Sequence, residues 1–461
     1  MASFSSIFDR PSLKSATVRA STGTLIYLRR WRALGGEACW VFVGLAAGGV
    51  GSIVGVRILT GLLPPAVFGE YALSLTVVAI LQYCYAGTSA AAMRFFVPAV
   101  EKRQAEEYLR AAWRVQHTRG LLAAPLVLGG VVFLMLVGQT WLIPLGLAAT
   151  VLAVVTSYNV FMDGLQNAGR QRAVVALHQG LGSWVRLGCA ALLVILIGAS
   201  AANVLWGFVL GAIVTMGSQY VFYRRVRRKV CQTTTGRCSV EACQPWHARI
   251  TRFAWPYVVW SIPVWLQLCS DRWALGWLAS PAEVGIYAAL CQLALLPVNV
   301  LTQLVTQLVE PILFARAGDL TDPARVASSR SMHRKVVGLV LSWTIVAVVA
   351  AAILRAPVGR LLLDARYQGA VHFLPLLVLA AGLFATGQLA ELNIITSNKT
   401  ALLIRPKSTV AILACAAYPL GASLGGIGGV VCASVVTKVA FLLWILWIDR
   451  RVSLAAVGHI A

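Results

Sequence analysis

The sequence predicts an all-α polytopic membrane protein of about twelve transmembrane helices, arranged as two pseudo-symmetric six-helix lobes. Three observations carry this. Of the 461 residues 59% are hydrophobic and only 12% are charged, with a mean hydropathy of +0.78; soluble domains carry about a quarter charged residues. Windows of about 18 or more mostly apolar residues, the length that crosses a bilayer, recur from residue 34 to residue 448. The third observation is a repeat between the two halves of the chain. No soluble domain of useful size is left over.

The spans read in order as 38–58, 71–93, 120–138, 141–160, 174–198, 201–223, 253–278, 284–310, 336–354, 371–396, 407–421 and 425–448. The first follows a basic tail, residues 1–33, too long for the leader of a cleaved signal peptide, and no A-x-A-like site follows a short apolar core. Its Gly44, Gly48, Gly51 and Gly55 form two small-xxx-small pairs that suit close helix contact. After the second span, "AVEKRQAEEYLRAAWRVQHTR" (99–119) reads as an amphipathic helix docked on the lipid surface. The sixth span ends at the longest polar interruption, 224–252. This divides the chain into a tail (1–33), an N-lobe (34–223), a basic linker (224–252), a C-lobe (253–448) and a second tail (449–461). The seventh span holds Pro256 and Pro263, which kink helices. Tryptophans 40, 141, 206, 255, 273, 277, 444 and 447 lie near span ends as interfacial anchors.

A net charge of +23 would suggest nucleic acid as partner in a soluble protein. Its distribution excludes that reading. Of the 39 Lys and Arg, only Arg355, Arg360 and Arg366 fall in loops of one side, while Arg57, Arg186, Arg272 and Lys438 fall inside spans; all the others share the opposite side. The positive-inside rule therefore puts both termini in the cytoplasm and requires an even span count. Most of the ten cysteines are scattered within spans. Cys231, Cys238 and Cys243 with His247 lie in the linker without a C-x2-4-C pair, so free thiols and no metal site are expected. No Walker motif is present, no cofactor is implied, and direct nucleotide hydrolysis is not expected.

The repeat lies in "RILTGLLPPAVFGEYALS" from Arg57 and "RWALGWLASPAEVGIYAAL" from Arg272. Each runs from an arginine through a short Pro-containing loop to G-x-Y-A, so Gly69 and Tyr71 match Gly285 and Tyr287, with one residue more between arginine and glycine in the second copy. Arg94 and Glu310 follow the two tyrosines at equal spacing and are candidates for an inner gate. Two six-helix copies that start on the same side are parallel repeats about an axis along the membrane normal, an architecture suited to alternating access.

These stretches, together with "AAMRFFVPAV" and "LLLDARYQGAVHFLPLLVLAAGLF", resemble the polysaccharide flippases of the O-antigen and exopolysaccharide type. That family belongs to a superfamily that also holds multidrug/cation antiporters and lipid II flippases. The resemblance implies a V-shaped pair of six-helix lobes. It also implies movement of an undecaprenyl-diphosphate-linked oligosaccharide from the inner to the outer leaflet of the bacterial inner membrane. Polysaccharide polymerase and export proteins are the partners it implies beside membrane lipids.

The charges inside the membrane are the candidate site, since each costs roughly 2.5–3.5 kcal/mol at the bilayer centre. Arg186 and Lys438 fall near the midplane of their spans, where snorkelling fails. With Arg57 and Arg272 they are expected to line a cationic cavity for the substrate's diphosphate, because arginine forks match phosphate oxygens. Asp271 and Arg272 are neighbours on a helix and diverge by about 100°. The expectation is that Arg272 faces the cavity and Asp271 pairs with a basic group on another helix; Asp271 as a protonatable coupling group is the competing reading. Glu391 carries the same two readings, coupling or interhelical bonding. A membrane glycan polymerase or transferase is the alternative from another class, with Asp364 near Arg360, Arg366 and His372 as its acid/base candidate. A multidrug/cation antiporter is disfavoured because bases outnumber acids in the spans.

Overall fold

The computed structural model describes residues 20–136, 138, 140–169, 171–231, 240–317, 323–397 and 399–455. The N-lobe consists of α1 (Ala20–Leu62), α2 (Pro65–Glu101), α3 (Ala105–Leu136), α4 (Ile143–Ala168), α5 (Arg172–Ile197) and α6 (Ala201–Cys231). The C-lobe consists of α7 (Val240–Leu278), α8 (Pro281–Ala317), α9 (Pro323–Leu362), α10 (Leu374–Thr396) and α11 (Ile404–Ala455), with a 3-10 segment, Ala365–Phe373, before α10. Among the described residues there is no strand. The long α11 is two helices joined at Gly425 and Gly426, the latter with φ 53° and ψ −131°, a backbone open to glycine alone. The bend makes twelve α-helices among the described residues.

Nine helical stretches among the described residues are long and apolar enough to cross a membrane, the last, Ala401–Ser453, holding both arms of α11. The other two helices, α3 and α7, open with charged residues (Glu106, Glu107 and Arg110; Arg249 and Arg252) ahead of their apolar runs. The spans are longer than their apolar runs because backbone hydrogen bonding continues past the hydrocarbon layer. The expected linker accordingly shrinks: 224–231 prolongs α6 and 240–252 opens α7.

The segment 99–119 does not lie on a lipid surface. Residues 105–119 are the first turns of α3, set off from α2 by a tight turn in which Arg103 takes φ 59° and Gln104 N–H bonds back to the Ala99 carbonyl at 2.9 Å. Its apolar stripe, Tyr108, Leu109, Ala112 and Val115, is buried against Phe96, Phe161 and Trp246. Amphipathicity says which face is covered, and here protein covers it.

Two faces of the molecule can be named from topology. The terminal face carries the described ends of the chain and the α2–α3 turn; the far face carries the α1–α2 and α7–α8 turns. Toward the far face the lobes share one apolar core, in which Leu63, Phe68 and Tyr71 meet Tyr287, Leu363 and Tyr367. Toward the terminal face the core splits. One cluster joins α2–α4 and α6 to the start of α7 through Trp246 and Ile250; two others belong to α8–α11. The lobes form a V that closes at the far face, with the start of α7 still packed on the N-lobe at the terminal face.

Candidate functional site

The site rests on the repeat. Pro65 opens α2 and Pro281 opens α8 after turns of equal length. A Cβ added to Gly69 would stand 1.9 Å from the Pro281 carbonyl oxygen, and one added to Gly285 would stand 1.9 Å from that of Pro65. The two helix starts thus cross backbone to backbone, each copy contributing the same residues, as an isologous contact demands.

Counting back from the two prolines settles the register of the arginines. Val56, not Arg57, stands opposite Arg272; Arg57 stands opposite Trp273. The additional residue in the second copy turns the arginine by about 100° to another face of its helix. Consequently Arg57 does not line the cavity with the other cations. It is exposed, and its Nη1 donates to the Leu363 carbonyl of the C-lobe at 2.8 Å. Trp273 likewise reaches the other lobe, donating to Thr76 Oγ1 at 2.9 Å.

Arg57 belongs to a far-face latch. Arg366 Nη2 donates to the carbonyls of Thr60 (3.1 Å) and Gly61 (3.0 Å), and Tyr367 O–H donates to that of Leu63 (2.9 Å). Asp364 aims Arg366 through a 2.7 Å ion pair, and this hydrogen bonding holds its carboxyl below the usual carboxylate range. The orphan carbonyls at the end of α1 are thereby capped by the C-lobe.

Two pockets flank α8. The C-lobe pocket, about 90 Å³, is lined by Gln267, Asp271, Arg272, Tyr287, Tyr418 and Lys438 among others. The N-lobe pocket, about 360 Å³, is lined by Gly51, Gly55, Val56, Tyr71, Arg186 and, from α8, Asn299. In the shared register Gly51, Gly55, Val56 and Tyr71 correspond to Gln267, Asp271, Arg272 and Tyr287, so the pockets are the same place in the two copies. Leu295 lines both, and Tyr71 lies within electrostatic reach of Arg186 and Arg272 alike.

Within the C-lobe pocket Asp271 has no basic partner at ion-pair distance among the described residues. Its Oδ2 accepts from the Tyr287 hydroxyl at 2.8 Å and its Oδ1 from the Arg272 backbone N–H at 2.8 Å. The repeat tyrosine takes the place expected for a cation. Lys438 instead donates to the Gln267 carbonyl at 3.2 Å and stands 4.6 Å from the centre of the Phe384 ring. Arg272 Nε is buried without a hydrogen-bond partner among the described residues. Arg186 Nε returns to its own helix, donating to the Gly182 carbonyl at 3.0 Å. A buried guanidinium with an unused donor is a costly arrangement that an anion relieves.

A third space adjoins these. A groove of about 750 Å³ runs between α1, α8 and α9, lined by Gly49, Val50, Pro297, Val300, Trp343 and other apolar residues. Leu296 lines both this groove and the Arg186 pocket. From Leu296 to Leu295, α8 thus borders an apolar groove, then one cationic pocket, then the other.

Glu391 lies apart. Its carboxylate pairs with Lys407 Nζ at 2.7 Å, tying α10 to the first turn of α11. Removing one partner of a buried ion pair costs roughly 3–5 kcal/mol. Glu391→Ala is expected to lower Tm markedly, and Glu391→Gln with Lys407→Met to recover most of the loss in the same thermal unfolding measurement. Arg94 is exposed at the terminal face, its guanidinium 5.1 Å from the Phe253 ring centre; the side chain of Glu310 lies outside the described residues, as do those of Cys231, Cys238 and Cys243. Sequence reasoning passed over Asp163, which accepts from Gln219 Nε2 at 2.7 Å and Gln179 Nε2 at 3.3 Å. The span read as 141–160 stopped short of it. Lys407 was overlooked because a span-end lysine reads as topology.

Solved structures share this architecture. A multidrug resistance MATE family transporter of the MOP superfamily superposes with a TM-score of 0.69 at 13% identity, over 90% of this chain and 99% of that one. The lipid II flippase MurJ gives 0.62 at 12% identity, over 90% and 87%. A MOP superfamily transporter from Pyrococcus furiosus, described as having a binding pocket of reversed polarity, gives 0.60 at 14% identity, over 90% and 94%. No curated protein matches the sequence. The sequence family described as polysaccharide biosynthesis protein matches residues 39–315, more than half of the chain. With the two-lobe fold and the paired pockets on either side of α8, the chain belongs to the polysaccharide biosynthesis protein family.

Proposed function

We propose that the protein moves an undecaprenyl-diphosphate-linked oligosaccharide from the inner to the outer leaflet of the bacterial cytoplasmic membrane by alternating access, with both termini in the cytoplasm. The observation that carries this is the continuity along α8. An apolar groove meets the Arg186 pocket at Leu296, and that pocket meets the Arg272–Lys438 pocket at Leu295. A ligand that fits has a hydrocarbon tail and a compact anion at its junction with a polar head. The groove lets the tail stay in the bilayer while arginine donors replace phosphate hydration. An inside-negative potential adds about 2.3 kcal/mol per charge per 100 mV toward outward movement of the anion. The lobes then part at the far face to release it, giving units to polymerisation and export proteins.

The multidrug/cation antiporter reading asks for acids in these pockets. The two pocket linings hold Arg186, Arg272 and Lys438 against one carboxylate, Asp271, whose Oδ2 is taken by the Tyr287 hydroxyl; outside the linings, Asp163 lies within electrostatic reach of Arg186. The polymerase or transferase reading rests on Asp364, and that residue serves the latch through Arg366. A binding experiment tests the preferred reading. Farnesyl diphosphate is expected to bind at least tenfold more tightly than either farnesol or inorganic diphosphate, measured by isothermal titration on the purified protein. Equal binding of farnesol would remove the cationic pockets from the account.

A further inference from the structure

We infer that a cleft between the ends of the two arms of α11, remote from the transport pockets, binds an anionic glycerophospholipid of the adjoining leaflet. The bend at Gly425–Gly426 brings the start of α11 back beside its end. Between them lies a cavity of about 890 Å³ at the terminal face, with Arg405 on one wall and Arg451 on the other. Its body is apolar: Leu402, Leu443 and Trp447 are all exposed along it. The Arg451 guanidinium carbon stands 3.8 Å from the centre of the Trp447 ring, one helical turn away, a cation–π contact that steadies the side chain beside the cavity.

Neither arginine has an acidic partner within ion-pair distance among the described residues. The carboxylates nearby are committed elsewhere. Asp449 accepts from Asn393 Nδ2 at 2.6 Å, and Glu391 holds Lys407. Two separated cations above an apolar slot, with tryptophan at the same depth, match a phosphodiester above acyl chains in a bilayer interface. The cleft is a place for a resident lipid rather than for cargo: it opens beside α11 away from α8, and Arg451 stands roughly 20 Å along the helix from Lys438. The inference holds whatever the pockets beside α8 carry.

Native mass spectrometry of the full chain in detergent, with dioleoylphosphatidylglycerol and dioleoylphosphatidylcholine added in equal amounts, tests it. Wild type is expected to retain the glycerol lipid about tenfold over the choline lipid. Arg405→Gln with Arg451→Gln is expected to lose that preference, while Arg405→Lys with Arg451→Lys keeps part of it. Tm in choline lipid alone reports whether each variant folds. Should the glutamine variant fail to fold, Trp447→Ala, which keeps both arginines, is expected to lower retention of the glycerol lipid severalfold. Equal retention of the two lipids by wild type, or an unchanged preference in the glutamine variant, overturns the inference. So does release of the lipid by millimolar inorganic phosphate, which would mark a site for the anion alone. Displacement by one equivalent of undecaprenyl diphosphate would make the cleft a cargo site instead.

Discussion

Alanine at both Gly69 and Gly285 is expected to stop transport while leaving a folded protein in the membrane. Each added Cβ meets a carbonyl oxygen of the other lobe at 1.9 Å, well inside van der Waals contact, and both partners are backbone at helix starts. No side-chain rotation relieves the clash. Overpacking of this kind costs roughly 1–3 kcal/mol per site, and the cheapest relief is to part the lobes at the far face, which also breaks the contacts of Arg57, Arg366 and Tyr367. A molecule that cannot close this face cannot alternate. The measurement is labelling of Cys291, which lines the C-lobe pocket, by a membrane-impermeant maleimide added on the far side. Labelling is expected to rise about tenfold over resting wild type, with transport at background. Unchanged labelling would show that the crossing yields locally and does not govern closure.

Replacing Arg186 or Arg272 by glutamine is expected to lower the initial rate of lipid transfer at least tenfold each, and the pair to background. The two stand in equivalent pockets within reach of Tyr71, so an anion passing between lobes meets both. Charge-assisted bonds to such groups contribute about 1.5–3 kcal/mol apiece, which sets the tenfold floor. Lysine at either position is expected to keep part of the rate, since it restores charge without the fork. Arg57→Gln is the contrasting case. Its loss weakens the latch without removing a cation from either pocket, so its transfer rate is expected to stay within about threefold of wild type.

The repeat was legible because it is local: G-x-Y-A recurs in register, and Gly69, Gly285, Tyr71 and Tyr287 sit where equivalent copies must place them. That Arg186, Arg272 and Lys438 line pockets was legible by position alone, since an ionised residue far from both span ends has few tolerable places to be. Arg57 shows where this fails. The sequences align on their arginines, but the extra residue before Gly285 changes which face the side chain leaves from, and helical phase decides its neighbours. Asp271 failed differently. A buried carboxylate needs donors, and a phenol sixteen residues along, on the next helix, supplied one; no charge pattern announces a tyrosine partner. The 99–119 segment carries a true amphipathic signal, but periodicity does not distinguish a lipid surface from the flank of α7. The groove joining at Leu296 lay beyond sequence reasoning, because it exists only where α1, α8 and α9 leave a gap.

The most direct measurement follows two fluorescent lipids across the bilayer of wild-type proteoliposomes: an undecaprenyl-diphosphate oligosaccharide, and the same tail and sugar joined by a neutral ether. The account predicts transfer of the diphosphate at a protein-dependent rate at least tenfold above that of the neutral lipid, with the glycan chemically unchanged. Equal transfer of both lipids, or extension or cleavage of the glycan, would contradict it.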